Sequence, residues 1–292
     1  MTSEYIVDGL RYCEVCNTPT QCRVTLFGKE RIQTCLCECG RKRRDEDDLA
    51  RKRSGLEYEY GQRKSLGYDD FQMFNWFNCH DYSISPRLRH ERAELLKRLC
   101  FPEAERKQLC TFENDAGGNE KIMAIAKDYV DSFDDKYEKG LGLLLFGETG
   151  TGKSYTAACI ANELLAKDHP VHMTHFERLF NTLWDLKRGK QEFLDNLNKF
   201  DLLVIDDLGA ENTSDYTSSV IFNVIETRLN AGLPMIITTN LTRSELLSTD
   251  DMRKKRVYSR LFECCIPLEV SGKDRRKDIL AENMREFKIK FS

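Results

Sequence analysis

Beyond residue 120 the chain alternates between short unbroken apolar runs and stretches with three-to-four spacing. Residues 141–146 (LGLLLF) and 202–205 (LLVI) are continuous apolar runs too short for helices, the pattern of strands buried on both faces. A weaker run at 171–173, another at 234–239 and a last one at 266–270 add three more strands. Between them the period turns helical. Residues 121–133 set Ile122, Ile125, Ala126, Tyr129 and Val130 on one face, and helices follow at 153–166, 176–186 and 216–230. Thr242 and Glu245 match a capping box, and 274–287 forms a closing helix. Strands alternating with helices predict an α/β fold, a parallel sheet with helices on both faces.

Upstream the pattern changes. Residues 1–40 are rich in cysteine and poor in long apolar runs, so they need a staple rather than a core. Residues 41–64, beginning RKRRDEDDLARKR, carry charges of both signs and predict a solvated helix, with 41–44 a candidate nucleic-acid contact. Residues 65–85 read as aromatic and irregular, and 87–99 as a helix with Leu88, Leu95, Leu96 and Leu99 on one face.

The sequence GETGTGKS fits GxxxxGK[ST] at every fixed position, Gly147, Gly152, Lys153 and Ser154, between an apolar strand and a helix. Glycines let backbone N–H groups point inward at phosphate oxygens, and the helix N-terminus adds partial positive charge. Gly147, Glu148, Thr149, Gly150, Thr151, Gly152, Lys153, Ser154 and Tyr155 are therefore the expected ATP contacts, with Lys153 reaching the outer phosphates and Ser154 offering a hydroxyl to Mg²⁺. Downstream, DLLVIDDLGAE puts acids at the end of a strand, beside the phosphate loop. Asp206 is expected to hold Mg²⁺ through water. Asp207 is the candidate to polarise the attacking water, with Glu211 able to share that role. Asn240 ends the strand IITTN as a polar tip for the γ-phosphate or the water. Arg260 in VYSRLFE and Arg275 and Arg276 in SGKDRRKD are the arginines of interest. Together these residues predict an Mg²⁺-dependent ATPase.

Six of the twelve cysteines fall between Cys13 and Cys39. In a long chain without a signal peptide that clustering predicts a metal site in a reducing compartment. Cys13 and Cys16 form C-x-x-C. Cys35, Cys37 and Cys39 form C-x-C-x-C after VTLFGKERIQT, a hairpin with Gly28 at its tip. Two ligand pairs on adjacent hairpins suit structural Zn²⁺. Cys13, Cys16, Cys37 and Cys39 are the favoured four, Cys35 is able to replace one of the last pair, and Cys22 is a bystander. An iron–sulfur cluster is the rival metal. The six scattered cysteines read as buried small hydrophobes.

Taken in order, YVDSF, GLLLFGETGTGKS, LLVIDDLGAE, the TTN strand end and YSRL resemble the AAA+ ATPases of the DnaC-type bacterial helicase loaders over roughly residues 100–290. The cysteine cluster resembles the zinc domain of the Firmicutes and phage branch of these loaders. The resemblance implies an AAA+ P-loop fold with Asn240 as sensor 1 and Arg260 as an arginine finger completing a neighbour's site, and hence self-association. It also implies Arg276, four residues after Gly272, as sensor 2. It divides the chain into a zinc-binding domain (1–40), a charged helical and aromatic linker (41–112) and an AAA+ ATPase domain (113–292). The implied partners are a hexameric replicative helicase and single-stranded DNA. Trp184, Lys187, Arg188, Lys190 and the run 253–256 are the candidate DNA contacts. Two other readings stay open: an IstB-type transposition regulator on duplex DNA, and a nucleotide-switched scaffold with little turnover.

Composition narrows the setting. Of 292 residues, 40% are hydrophobic and 32% charged, with a net charge of −3, so no strongly basic nucleic-acid binder is announced. No run approaches the ~20 apolar residues that span a bilayer. MTSEYIVDGL lacks the basic and apolar segments of a signal peptide, so the expectation is a cytoplasmic protein with no membrane partner.

Overall fold

The computed structural model describes residues 4–26, 29–102, 105–115, 117–186, 188–209 and 215–291. The chain forms two compact units, Met1–Arg92 and Ala93–Ser292.

The first unit opens with two hairpins. Strands β1 (Glu4–Val7) and β2 (Leu10–Cys13) pair antiparallel around Asp8 and Gly9, both in the left-handed region at φ 51° and 74°. Such values suit the two-residue turn that matches strand twist. Strands β3 (Gln21–Leu26) and β4 (Lys29–Thr34) form the second hairpin, and the tip expected at Gly28 lies outside the described residues. Helix α1 (Glu38–Ser65) is the solvated helix expected from the charges, laced by Glu38–Lys42 and Glu59–Arg63 pairs one turn apart.

Residues 65–85 are not irregular. They contain α2 (Asp70–Asn78), opened by a capping box in which Asp69 and Gln72 bond each other's backbone N–H. Its Met73, Phe74, Trp76 and Phe77 are buried, and Tyr60 of α1 packs on Trp76 and Phe77. The helix is only nine residues long, with Asp70, Gln72, Asn75 and Asn78 interspersed among its aromatics, too short a run to establish a period. Helix α3 (Pro86–Cys100) follows, with Leu88, Leu95 and Leu96 buried as expected.

In the second unit, α4 (Glu120–Asp131) and α5 (Phe133–Glu138) lead into β5 (Gly142–Phe146) and α6 (Lys153–Ala166). Next come β6 (Val171–His175), α7 (Phe176–Asp185), α8 (Lys190–Leu197), β7 (Leu202–Leu208) and α9 (Asp215–Asn230). The unit closes with β8 (Met235–Thr239), α10 (Arg243–Leu247), α11 (Met252–Cys264), β9 (Cys265–Glu269) and α12 (Arg275–Phe291). Among the described residues the five strands β5–β9 pair in parallel in the order β6-β7-β8-β5-β9.

Alternation along each strand feeds two cores. Leu143, Leu145, Val204, Leu202 and Ile236 face α4 and α6, where Ala157, Ala158 and Ala161 admit close approach. Leu144, Phe146, Leu203, Ile205 and Ile237 face α7, α9 and α11. Both faces are thus covered, as the unbroken apolar runs require. Under this sheet Arg228 is 1% exposed, and its guanidinium donates to the carbonyls of Leu197, Asp201 and Pro234. Cys100, Cys159, Cys264 and Cys265 are buried and Cys110 is half-buried, whereas Cys79 is exposed at the C-terminal end of α2. No described helix is long and apolar enough to cross a membrane.

Candidate functional site

Strand order decides what meets at the C-terminal edge of the sheet. Strand β8 lies between β5 and β7, so the polar tip after β8 stands between the phosphate loop after β5 and the acids of β7. The loop 147–152 turns through Gly147, Gly150 and Gly152 at φ 133°, 84° and 102°. A Cβ on Gly147 would lie 2.6 Å from the Val270 carbonyl, and one on Gly150 would overlap the Asp274 carboxylate. Glycine is therefore required by packing as well as by conformation.

Gly152 caps α6, and Lys153 starts it. Lys153 is 5% exposed, and its ammonium donates to the carbonyls of Gly147 (2.9 Å) and Glu148 (2.6 Å). Burial pulls its pKa below the usual lysine range, while the charges of Asp207 and Asp206 resist that fall. The Thr151 hydroxyl donates to the Glu148 carbonyl, stiffening the loop from within. From outside, Asn119 donates to the Thr151 carbonyl at 2.5 Å and the Arg275 N–H donates to Gly150. The Arg275 guanidinium then binds Asp115 (2.7 Å) and the Gly117 carbonyl (2.9 Å).

Asp206 is 3% exposed. Thr238 donates to its Oδ1 at 2.6 Å, Lys107 to its Oδ2 at 2.5 Å, and His175 Nδ1 stands 3.5 Å from Oδ2. Burial opposes its ionisation, but the Lys107 charge and hydrogen bonds from Lys107, Thr238 and Ser154 outweigh that and hold the carboxyl below its usual range. A serine hydroxyl beside an ionised carboxylate at a phosphate loop is a donor set that fits Mg²⁺. Asp207, next along β7, is exposed and takes a left-handed φ of 63°, where the β7–β8 register shifts. Asn240 donates to its Oδ1 at 2.6 Å, and the Asp207 N–H donates to the Thr238 hydroxyl. A residue held in this sparsely populated region by two neighbouring bonds is strain of the kind found at functional sites.

The structure thus brings Lys153, Ser154, Asp206, Asp207 and Asn240 together. Glu148, Thr149 and Thr151 lie in the loop itself. Tyr155 points elsewhere, its hydroxyl donating to the Thr111 carbonyl. Arg276, next to the Arg275 that braces the loop, is exposed, and its charge is felt at Lys153. Glu211 and Lys187 lie outside the described residues. Arg260 is not brought to this site. It lies on α11, clamped by Glu226 (3.0 Å) and Glu263 (2.8 Å), whose bonds raise its pKa. Lys107, Thr238, His175 and Asn119 were not foreseen as site-shaping residues, and only Thr238, two residues before Asn240 on the same strand, carried a sequence signal. Arg275, singled out beside Arg276, braces the loop from outside.

In the first unit Cys13, Cys16, Cys37 and Cys39 bring their sulfurs within 4.8 Å of one another, with Cys39 at 3.5, 3.7 and 3.2 Å from the others. A tetrahedron of ~2.3 Å metal–sulfur bonds has edges of about 3.8 Å, so the four thiols fit one ion. The C-x-x-C turn closes through the left-handed Asn17, whose N–H donates to the Cys13 carbonyl. Crowding by Cys37 and then Cys13 drives the Cys39 thiol up to about 12, and the Thr18 hydroxyl draws Cys16 down to about 5. Cys35 stands outside the four, its thiol on the Pro19 carbonyl.

Comparison with known proteins follows the same lines. The model of the IstB-like ATP-binding protein family matches residues 124–281. The replicative helicase loader DnaC of Escherichia coli (strain K12) is 30% identical over 146 residues, 48% of this chain and 58% of DnaC. The replicative helicase loader DnaI of Bacillus subtilis (strain 168) is 31% identical over 163 residues, 51% of each chain. A crystal structure of the DnaC helicase loader superposes with a TM-score of 0.50 at 26% identity, over 57% of this chain and 100% of that one. The chain spans little more than half the length of these curated relatives. The AAA+ fold expected from the motif order is the fold observed.

Proposed function

The chain belongs to the IstB-like ATP-binding protein family, and from that premise we propose that it is an ATPase that holds a hexameric replicative helicase and delivers it to single-stranded DNA. The observation that carries the enzymatic half is the convergence of Lys153, Ser154, Asp206, Asp207 and Asn240 at one sheet edge. Similarity to DnaC and DnaI, joined to a four-thiol module, supports the loader half.

In this reading the backbone amides of 147–152 wrap the triphosphate, and Lys153 exchanges its carbonyl partners for phosphate oxygens. Ser154 and Asp206 hold the magnesium ion, which neutralises charge on the outer phosphates. Asp207, aimed by Asn240, orients and polarises the attacking water; Glu211 is the alternative for that step. Arg276 reaches the phosphates from α12, and Arg260 reaches a neighbour's nucleotide, so turnover needs assembly. Cys13, Cys16, Cys37 and Cys39 hold structural Zn²⁺, and the module they form grips the helicase. The expected assignment of 1–40, 41–112 and 113–292 to zinc module, linker and ATPase is part of this proposal.

The test is co-purification with a hexameric replicative helicase, with and without ATP. Association that ATP alters supports the loader, and none in either condition defeats it. Asp207→Asn tests the chemistry: phosphate release should fall by about 10² or more with nucleotide binding intact. A transposition regulator on duplex DNA rests on the family match alone; preference for duplex over single strands would favour it.

A further inference from the structure

Asp206 is held by a residue no motif contains. Lys107 belongs to a 3-10 turn (Glu105–Leu109), ninety-nine residues upstream of its partner. That turn is fastened to α6, the helix that opens at the phosphate loop. Asn162 donates to the carbonyls of Lys107 (2.7 Å) and Cys110 (2.8 Å), and Tyr155 donates to that of Thr111 (2.8 Å). These bonds bring the Lys107 ammonium to 2.5 Å from Asp206 Oδ2, in a pair whose side chains are 17% and 4% exposed.

A buried carboxylate needs a counter-charge at close range. Here Lys107 supplies it at Oδ2, Thr238 occupies Oδ1, and Ser154 adds a hydrogen bond to the same carboxylate. Phe101 before the turn and Cys110 and Phe112 after it pack against the core, but the turn itself has little apolar anchorage, since Leu109 is 71% exposed. Between those flanks it is held by a few polar bonds, the profile of a segment that opens locally.

We propose that Lys107 is a built-in competitor of the divalent cation at Asp206. An ammonium seated on Oδ2 repels a hydrated Mg²⁺ approaching the same carboxylate and takes a position that the ion's waters would use, so the two compete. Binding of the magnesium–nucleotide complex therefore expels Lys107 and loosens the 105–109 turn. Without nucleotide, the lysine keeps the site from filling with metal alone. The proposal rests on reading Asp206 as the magnesium carboxylate.

The experiment titrates magnesium into full-length protein with a fluorescent ADP analogue, comparing wild type, Lys107→Met and Lys107→Arg. Lys107→Met should reach half-saturation at about tenfold lower magnesium, the scale of one lost charge contact, and Lys107→Arg should track wild type. In excess chelator all three should bind the analogue alike. An unchanged or higher magnesium requirement in Lys107→Met overturns the proposal while leaving the nucleotide site standing. Failure of wild type to bind the analogue overturns the nucleotide reading and this proposal with it. Should Lys107→Met not fold, amide hydrogen exchange of residues 105–112 in wild type decides. Faster exchange with ADP and magnesium than with ADP and chelator supports expulsion, and equal or slower exchange refutes it.

Discussion

The four-thiol module and the P-loop unit face one problem with opposite resources. Each must gather groups that lie far apart in sequence. The module does so with two short hairpins whose strands are largely exposed, and four sulfurs converge where a core would otherwise be. The P-loop unit does so with a sheet buried on both faces, and its polar residues are carried at the sheet's C-terminal edge. A region without a core is held by its ligand chemistry, whereas a region with one is held by packing and can leave its chemistry at the surface to change partners.

That contrast predicts which treatment ruins which region. Removing the metal with a chelator should cost the module on the order of 10 kcal/mol and abolish the protection of its hairpin amides. The melting of the P-loop unit should not move; if both regions melted together, the contrast would be wrong. Next in size, Arg260→Ala should lower ATP turnover of the assembled protein by about 10³ while leaving the monomer's basal rate alone. An equal loss in both states would place Arg260 outside a neighbour's site.

Leu145→Ala removes a fully buried side chain and should destabilise the P-loop unit by roughly 2–5 kcal/mol, with metal content unchanged. Acid makes the smallest and most diagnostic difference. His172, with Nδ1 2.8 Å from the Leu99 carbonyl, is pushed down to about 4 by burial. The unfolded chain takes up that proton first, so this contribution is complete above about pH 6.5 and is lost as pH falls toward 4. A loss on the order of 3 kcal/mol should appear in the thermal stability of the P-loop unit. His172→Asn should flatten it.

What the sequence made legible was local. The phosphate loop, the β7 acids and Asn240 are read from spacing within a few residues, and α6 begins and ends where its pattern does. The two cysteine pairs were legible for the same reason. Long-range contacts were not. Arg275 meets Asp115 across 160 positions and Lys107 meets Asp206 across 99, and neither has a flanking signal. Helix α2 was missed because nine residues are too few to fix a period, although its Asp69–Gln72 capping pair is a local signal. Helix α8 (Lys190–Leu197) was missed because eight residues are too few to show a period. Strands β1 and β2 could have been found, since Asp8-Gly9 between apolar pairs is a hairpin signal.

Cys37 has two positions at once: its sulfur joins the thiol cluster, and it also accepts the Gly40 N–H as the cap of α1. The cluster is therefore mortised into the end of a 28-residue rod, about 42 Å from first turn to last. Anything seized at the sulfur end would be held at arm's length from the aromatic knot around Tyr60 and Trp76. A metal on the four sulfurs would therefore bear on the first turn of that arm through Cys37 itself.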